Sequence, residues 1–302
     1  MTKIQESDYK ENKMKPVAKT TKNPKAFTIV ELLTVMSIIV VLIGLLVPAL
    51  NKVRQYAMTV KQKAQFHSME TAIEMFNNEF EGYPPSSMED ETGASYCGAM
   101  KLCEAMMGRD LLGFHPNSVF RQDGMDRAGR AVYLPDPDNL KARSGPYLPL
   151  ESANAIQLGD IYGAGNTDTF LEEIYVLCDV FKKTRDTGEK VGMPVLYYKA
   201  DTTGTLHDPN VAQPMPMDNR GFIYNYYDNT QLVGLGKPGA TGAQSTHKLA
   251  DMNWFYKCTK SDKIKDPPRP YKASSYILIS AGFDGEYGTA DDVYNFDWKS
   301  VN

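Results

Sequence analysis

The chain has 302 residues, 42% of them hydrophobic and 11% aromatic, with a formal net charge of −4. That length suits one or two domains with a real apolar core, and the mean hydropathy of −0.40 excludes a protein built from many membrane spans. The charge is uneven: residues 1–26 carry seven lysines and three acidic residues, net +4, while the remainder carries 26 basic and 34 acidic residues, net −8, a balance that argues against a nucleic-acid-binding body.

The first element in chain order is apolar. From Phe27 to Leu50 the sequence holds 24 residues and a single charge, Glu31. As a helix this stretch is ~36 Å long, enough for a hydrocarbon core of ~30 Å. Three readings compete: a secretory signal cut near Val47-Pro48-Ala49, a plain membrane anchor, and a signal cut before the apolar run, which then stays in the mature chain. Glu31 is poorly explained by the first two, because a lone carboxylate in an apolar helix is costly. The helical pattern also continues past Ala49. Val53, Ala57, Val60 and Ala64 follow a 4-3-4 spacing, and Met69, Ile73, Phe76 and Phe80 repeat it after a small phase shift. Helix formers fill the gaps, among them Lys52, Arg54, Gln55, Lys61, Gln62, Lys63 and Gln65. Gly82, Pro84 and Pro85 then stop the helix. One helix is therefore expected from about Phe27 to about Phe80, hydrophobic all round in its first half and amphipathic in its second.

These residues resemble the signal of type IV pilins and type II secretion pseudopilins. The shared features are an aromatic start at Phe27, Thr-hydrophobe-hydrophobe-Glu-Leu-Leu over Thr28–Leu33, the apolar run, and Pro48. Two departures stand out: Ala26 sits where the family usually has Gly, and the leader is long. The resemblance implies cleavage between Ala26 and Phe27 by a prepilin peptidase, N-methylation of Phe27, and an assembly role for Glu31. In a filament its carboxylate would pair with the Phe27 amine of a neighbouring subunit, since two charges cost less in lipid paired than alone.

Beyond Pro85, "SYCGAMKLCEAMMG" reads as a short helix from Ser95 to about Gly108, with Ala99, Leu102, Cys103 and Met106 as its buried stripe. Residues 109–170 read as loop, and Asp136 and Asp138 as solvated. "FLEEIYVLCDVF", "MPVLYYKAD", "GFIYNYYDN" and "SSYILISAG" carry strand signals, and "GLGKPGATGAQST" reads as a flexible surface loop. The fold class expected is α+β: a long N-terminal helix packed on a small antiparallel sheet, as in type IV pilins. The expected divisions are a leader over 1–26, a membrane and filament-core helix over 27–50, its amphipathic continuation over 51–82, and a globular domain over 83–302. The four cysteines, Cys97, Cys103, Cys178 and Cys258, form no C-x-x-C pair. Six residues apart on one helix, Cys97 and Cys103 would lie ~9 Å apart, too far to bridge. Free thiols, or a bridge from either to Cys178 or Cys258, both stay open.

The last feature is "AGFDGEYGTADDVYNF", Ala281–Phe296, where Asp284, Asp291 and Asp292 fall among Gly282, Gly285 and Gly288. Calcium takes six to eight oxygens from carboxylates and backbone carbonyls, which such a loop can supply; an ordinary acidic turn is the plainer alternative. The stretch also resembles the C-terminal calcium loop of the major pseudopilin at Ser280, Gly282, Asp284, Gly285, Gly288, Thr289, Asp291 and Asp292. That resemblance implies a structural calcium with Asp284, Asp291 and Asp292 as side-chain ligands.

Catalytic signals are weak. His67, His115, His207 and His247 show no metal-ligand spacing. No G-x-S-x-G elbow and no Walker A motif occur. Gly234, Gly236 and Gly239 match G-x-G-x-x-G only formally, with Pro238 inside. The expectation is a non-enzymatic structural subunit. By resemblance its partners are copies of itself and minor pseudopilins in a periplasmic filament, the prepilin peptidase, an inner-membrane platform protein, a separate secretion ATPase, and membrane lipid before assembly. The implied placement is a single pass of the bacterial inner membrane, N-terminus cytoplasmic and globular domain periplasmic. A surface-fibre pilin and a signal-anchored binding protein are the alternatives.

Overall fold

The computed structural model describes residues 27–185, 188–208, 221–240, 246–264 and 266–297. The expected leader lies outside the described residues, as does Ala26. The chain divides into two units at Asn51 and Lys52.

Helix α1 runs Ile29–Phe80 over 52 residues. Pro48 lies inside it and has no N–H to give the carbonyl four residues earlier. The helix ends where Glu81 turns left-handed at φ 54°, just ahead of the Gly82-Tyr83-Pro84-Pro85 stop. In the first unit the apolar side chains from Phe27 to Leu50 are exposed, and the helix is long and apolar enough to cross a membrane.

The second unit begins with the stem, residues 52–80 of α1. Its buried residues are Gln62, Gln65, Phe66, Met69, Ala72, Ile73 and Phe76. The later apolar stripe is buried as its spacing predicts, apart from Phe80, which stays half-buried against it. The earlier one is not: Val53, Ala57, Val60 and Ala64 are exposed, and two glutamines occupy the first inward positions. The reason is the neighbouring chain, which presents backbone groups there. Gln65 Nε2 donates to the carbonyls of Cys178 at 3.0 Å and Ser152 at 3.1 Å, and Gln62 Oε1 accepts from the Val180 N–H at 2.9 Å. Valine could satisfy none of these buried groups.

Helix α2 (Gly98–Met107) follows. All ten of its residues are buried, not only the expected stripe. Its charges are met inside. Lys101 Nζ donates to the Ser87 and Glu89 carbonyls, both at 2.8 Å, and burial pushes its pKa down to about 8. Glu104 accepts from the hydroxyls of Tyr96, Ser118 and Tyr133, and burial raises its carboxyl. Gly98 is required where α2 crosses the sheet, because a Cβ there would meet the Tyr197 carbonyl at 2.4 Å.

Next come the short helices α3 (Pro137–Ala142), α4 (Leu150–Ala153) and α5 (Leu158–Tyr162), with β1 (Ala155–Gln157) between the last two. β2 (Tyr175–Leu177) pairs antiparallel with β1. It is all that remains of the strand expected over "FLEEIYVLCDVF". β3 (Lys183–Thr184) and β4 (Lys190–Val191) form a two-residue hairpin ladder. The main sheet is β5 (Leu196–Lys199), β6 (Tyr276–Ser280) and β7 (Val293–Tyr294), in the order β5-β6-β7 and antiparallel throughout. Alternation sorts its side chains to two faces. Tyr197, Tyr276 and Leu278 share a core with the stem's Phe66, Met69 and Phe76 and with Leu102 and Met106 of α2. Leu196, Tyr198, Ile277 and Ile279 share the other core with Phe255 and Tyr256 of α7 (Met252–Thr259). Both faces are covered, so β6 is buried along its whole length.

The strand expected over "GFIYNYYDN" does not form. Phe222 makes an isolated bridge to Leu206, and Asn225 Oδ1 then accepts from the Tyr227 N–H at 3.0 Å. That local bond starts a 3₁₀ turn at Tyr226–Asn229 leading into α6 (Thr230–Gly234). The turn places Asn229 against α2, where its Oδ1 caps the Ala99 N–H at 2.9 Å. Residues 241–245 of the expected surface loop lie outside the described residues. All four cysteines are free and buried. Cys97 precedes α2 and Cys103 lies within it.

Candidate functional site

Two places carry the candidate residues, and they lie in different units. At the start of α1, Thr28 and Glu31 close a reciprocal cap. Glu31 Oε2 accepts from the Thr28 N–H at 3.0 Å and hydroxyl at 2.8 Å, and the Glu31 N–H donates to Thr28 Oγ1 at 3.2 Å. This is a capping box, which satisfies donors that a helix start leaves unpaired. Glu31 Oε1 takes no hydrogen bond among the described residues, so half the carboxylate stays available. The next polar groups turn back on the backbone: the Thr34 hydroxyl donates to the Glu31 carbonyl at 3.0 Å, and Ser37 to the Thr34 carbonyl at 2.8 Å. Phe27 is exposed.

The second place is the turn between β6 and β7. Gly282 opens it at φ 64°, and a Cβ there would meet the Asp291 carbonyl at 2.3 Å; only glycine permits the closure. Asp291 crosses the mouth: its Oδ2 accepts from the Asp284 N–H at 2.8 Å and its Oδ1 from the Thr289 hydroxyl at 2.6 Å. Asp284 Oδ1 accepts from the Glu286 N–H at 2.7 Å. Asp292 is buried. Its Oδ2 accepts from the Gly288 N–H at 2.7 Å and the Tyr294 hydroxyl at 3.1 Å, and its Oδ1 lies 3.4 Å from Thr289 Oγ1.

The rim is braced from outside. Lys183 Nζ donates to the Asp284 carbonyl at 2.6 Å, Trp254 Nε1 to the Gly288 carbonyl at 2.8 Å, and Lys237 pairs with Glu286 at 2.9 Å. Tyr287 plunges into the core and donates its hydroxyl to the Pro194 carbonyl. Burial raises the Asp284 carboxyl, helped by the Asp291 charge beside it. Burial also holds Asp292 well above the usual carboxylate range.

No protein-family model, no characterised protein and no solved structure matches the chain. The function therefore rests on the residues themselves.

The donors of the acidic turn are all oxygen, the ligand type of a hard cation such as calcium. Burial is the main cause that raises Asp284, and the Asp291 charge adds to it; a cation would relieve that second part. In donor chemistry and charge the residues fit. The arrangement brings Asp284 and Asp291 together and turns Asp292 inward. Among the described residues, no group of three or more His, Cys, Asp or Glu side chains converges as a metal cluster.

Sequence reasoning passed over three features. The Thr28-x-x-Glu31 box was visible as a capping signature. Gln62 and Gln65 gave no signal, because amides on a helix face read as solvated. Asp179 is fully buried, with Oδ2 accepting from the Ser280 hydroxyl at 2.8 Å and Oδ1 from the Met193 N–H at 3.0 Å. Burial pushes its pKa up to about 7. Nothing in its neighbourhood of sequence announces that role.

Proposed function

We propose that the chain is a filament subunit of the type IV pilin class, and within it a pseudopilin of a type II secretion system. The observation that carries the reading is α1 itself. One helix begins with an exposed apolar run holding a single carboxylate, Glu31, and continues as a stem that packs on an antiparallel sheet. An apolar run of that kind needs lipid or other copies of itself around it. In this reading prepilin peptidase cuts between Ala26 and Phe27, and Phe27 is N-methylated. The run then anchors the subunit in the inner membrane, with the globular part in the periplasm. A platform protein and a separate ATPase draw it into a filament with minor pseudopilins, and the free Glu31 oxygen meets the Phe27 amine of a neighbour. The chain acts by assembly, not as an enzyme.

Calcium belongs to the same reading. Asp284 and Asp291 would hold it, Asp292 would offer Oδ1, and the cation would fix the turn against the sheet. This loop favours the secretion pseudopilin over the surface-fibre pilin, which the apolar helix supports equally well.

Two measurements test the proposal. Mass spectrometry of the mature protein should find N-methylphenylalanine at Phe27; a chain retaining its leader in cells with an active prepilin peptidase defeats the pilin class. Calorimetric calcium titration should give micromolar or tighter binding that an Asp291→Ala/Asp292→Ala variant loses. Silence in that titration removes what separates the two readings and leaves secretion pseudopilin and surface-fibre pilin level.

A further inference from the structure

The acidic turn and the stem of α1 are joined by two lines of hydrogen bonds within the second unit. The first enters through the segment Cys178–Lys183. One side of this segment lies on the stem, with Gln65 on the Cys178 carbonyl at 3.0 Å and Gln62 on the Val180 N–H at 2.9 Å. Between those two contacts sits Asp179, whose Oδ2 takes the Ser280 hydroxyl at 2.8 Å. Ser280 Oγ in turn accepts from the Gly282 N–H at 3.2 Å, and Gly282 lies against the Asp291 backbone. The same segment ends at Lys183, which holds the Asp284 carbonyl at 2.6 Å.

The second line leaves the other end of the turn. Asn295 Oδ1 accepts from the Leu278 N–H at 2.9 Å, and its Nδ2 donates to Glu70 of the stem at 3.0 Å. Glu70 also pairs with Lys272. Both ends of the turn are thus referred to the same helix. Gln62, Asp179 and Ser280 show no exposed surface at all, so this part of the network is desolvated, and breaking one member leaves another unpaired.

We propose that Asp179 and Asn295 are positioning residues that couple the acidic turn to the stem, so that a cation in the turn tightens the hold of residues 62–76 of α1 on the domain. The proposal rests on the calcium reading above. Linkage then runs both ways: a stem held more firmly raises the affinity of the turn by the same factor. Packed side chains and hydrogen bonds forming a contiguous chain are the physical means.

Hydrogen exchange on the full chain in detergent micelles tests it, with calcium chloride or a chelator as the only change. In the wild type, calcium should slow exchange at the amides of residues 62–76 by roughly tenfold, the middle of the usual coupling range. A Ser280→Ala/Asn295→Ala variant should still bind calcium, yet its stem should respond by less than about twofold. A wild-type stem indifferent to bound calcium overturns the coupling, and so does an undiminished response in the double variant. If calorimetry finds no calcium in the wild type, the calcium reading has failed separately. The coupling is then tested by Asp291→Ala in chelator: faster exchange at residues 62–76 upholds it, and unchanged exchange defeats it. Ser280→Ala alone, which removes one oxygen, serves if the double variant does not fold.

Discussion

The two halves of α1 share one helix and solve opposite problems. Residues 29–50 are exposed and carry one carboxylate, capped by its own Thr28. The stem buries Phe66, Met69, Ile73 and Phe76 in a shared core and gives two of its inward positions to glutamines. The lesson is that hydrophobicity along a helix does not mark where it is packed. The apolar half is the exposed one, and the more polar half is the buried one, because its partner segment presents N–H and C=O groups that only amides can satisfy.

The comparison can be broken from either side. The largest effect expected is on assembly: Glu31→Leu should insert into membranes as well as wild type and form no filaments, seen by membrane fractionation and electron microscopy. Normal filaments from that variant would strip the carboxylate of its role. In the stem, Phe76 stacks among Phe80, Phe114 and Tyr147 at ring separations of 4.7, 5.1 and 5.9 Å. Phe76→Ala should cost about 3–5 kcal/mol in denaturant unfolding, whereas exposed Val60→Ala should stay within about 0.5 kcal/mol. Equal losses would mean that the first apolar stripe is packed after all.

A smaller effect comes from Gln65→Leu. It removes the Gln65 donor from the Ser152 carbonyl, leaves the Cys178 carbonyl to Asn154 Nδ2 alone, and should cost about 1–3 kcal/mol, while Gln55→Leu on the same helix should be neutral by the same assay. Smallest is a pH slope confined to the second unit. Asp228 is buried, accepts from the Ser86 hydroxyl, and has its pKa pushed up to about 8 by burial. Its folded pKa lies above its unfolded one, so its stabilising contribution is complete below the unfolded value and is lost as pH rises through about 8. Thermal melts should show stability falling from pH 5 to pH 8, with a shallower slope in Asp228→Asn. An identical slope in the variant would assign the effect to other groups.

Much of this architecture was legible in the residues. α1 was readable because its pattern runs to a Gly82-Tyr83-Pro84-Pro85 stop, and β6 because the apolar run Tyr276–Ile279, half of it β-branched, has few alternatives. The glycines and carboxylates of the acidic turn announced a tight closure, which Gly282 and Asp291 make. What stayed hidden depends on partners distant in sequence. Asn225 and Asn229 convert an aromatic run from strand to helical turn, one by a local bond and one by capping α2. The charges of Lys101 and Glu104 argue for a solvated face, yet four hydroxyls and two carbonyls wait for them inside. Asp179 is understood only once Ser280, a hundred residues away, lies beside it.

The four buried thiols have a consequence in redox terms. Burial pushes Cys97 up to about 11 and Cys258 up to about 12, and raises Cys103 and Cys178 as well. Oxidants and metals attack the thiolate, and these sulfurs are held as thiols out of reach. In the folded domain none of the four is joined in a disulfide, and burial shields each from an oxidant. Once folded, such a domain would keep the same covalent structure in a reducing and in an oxidising compartment.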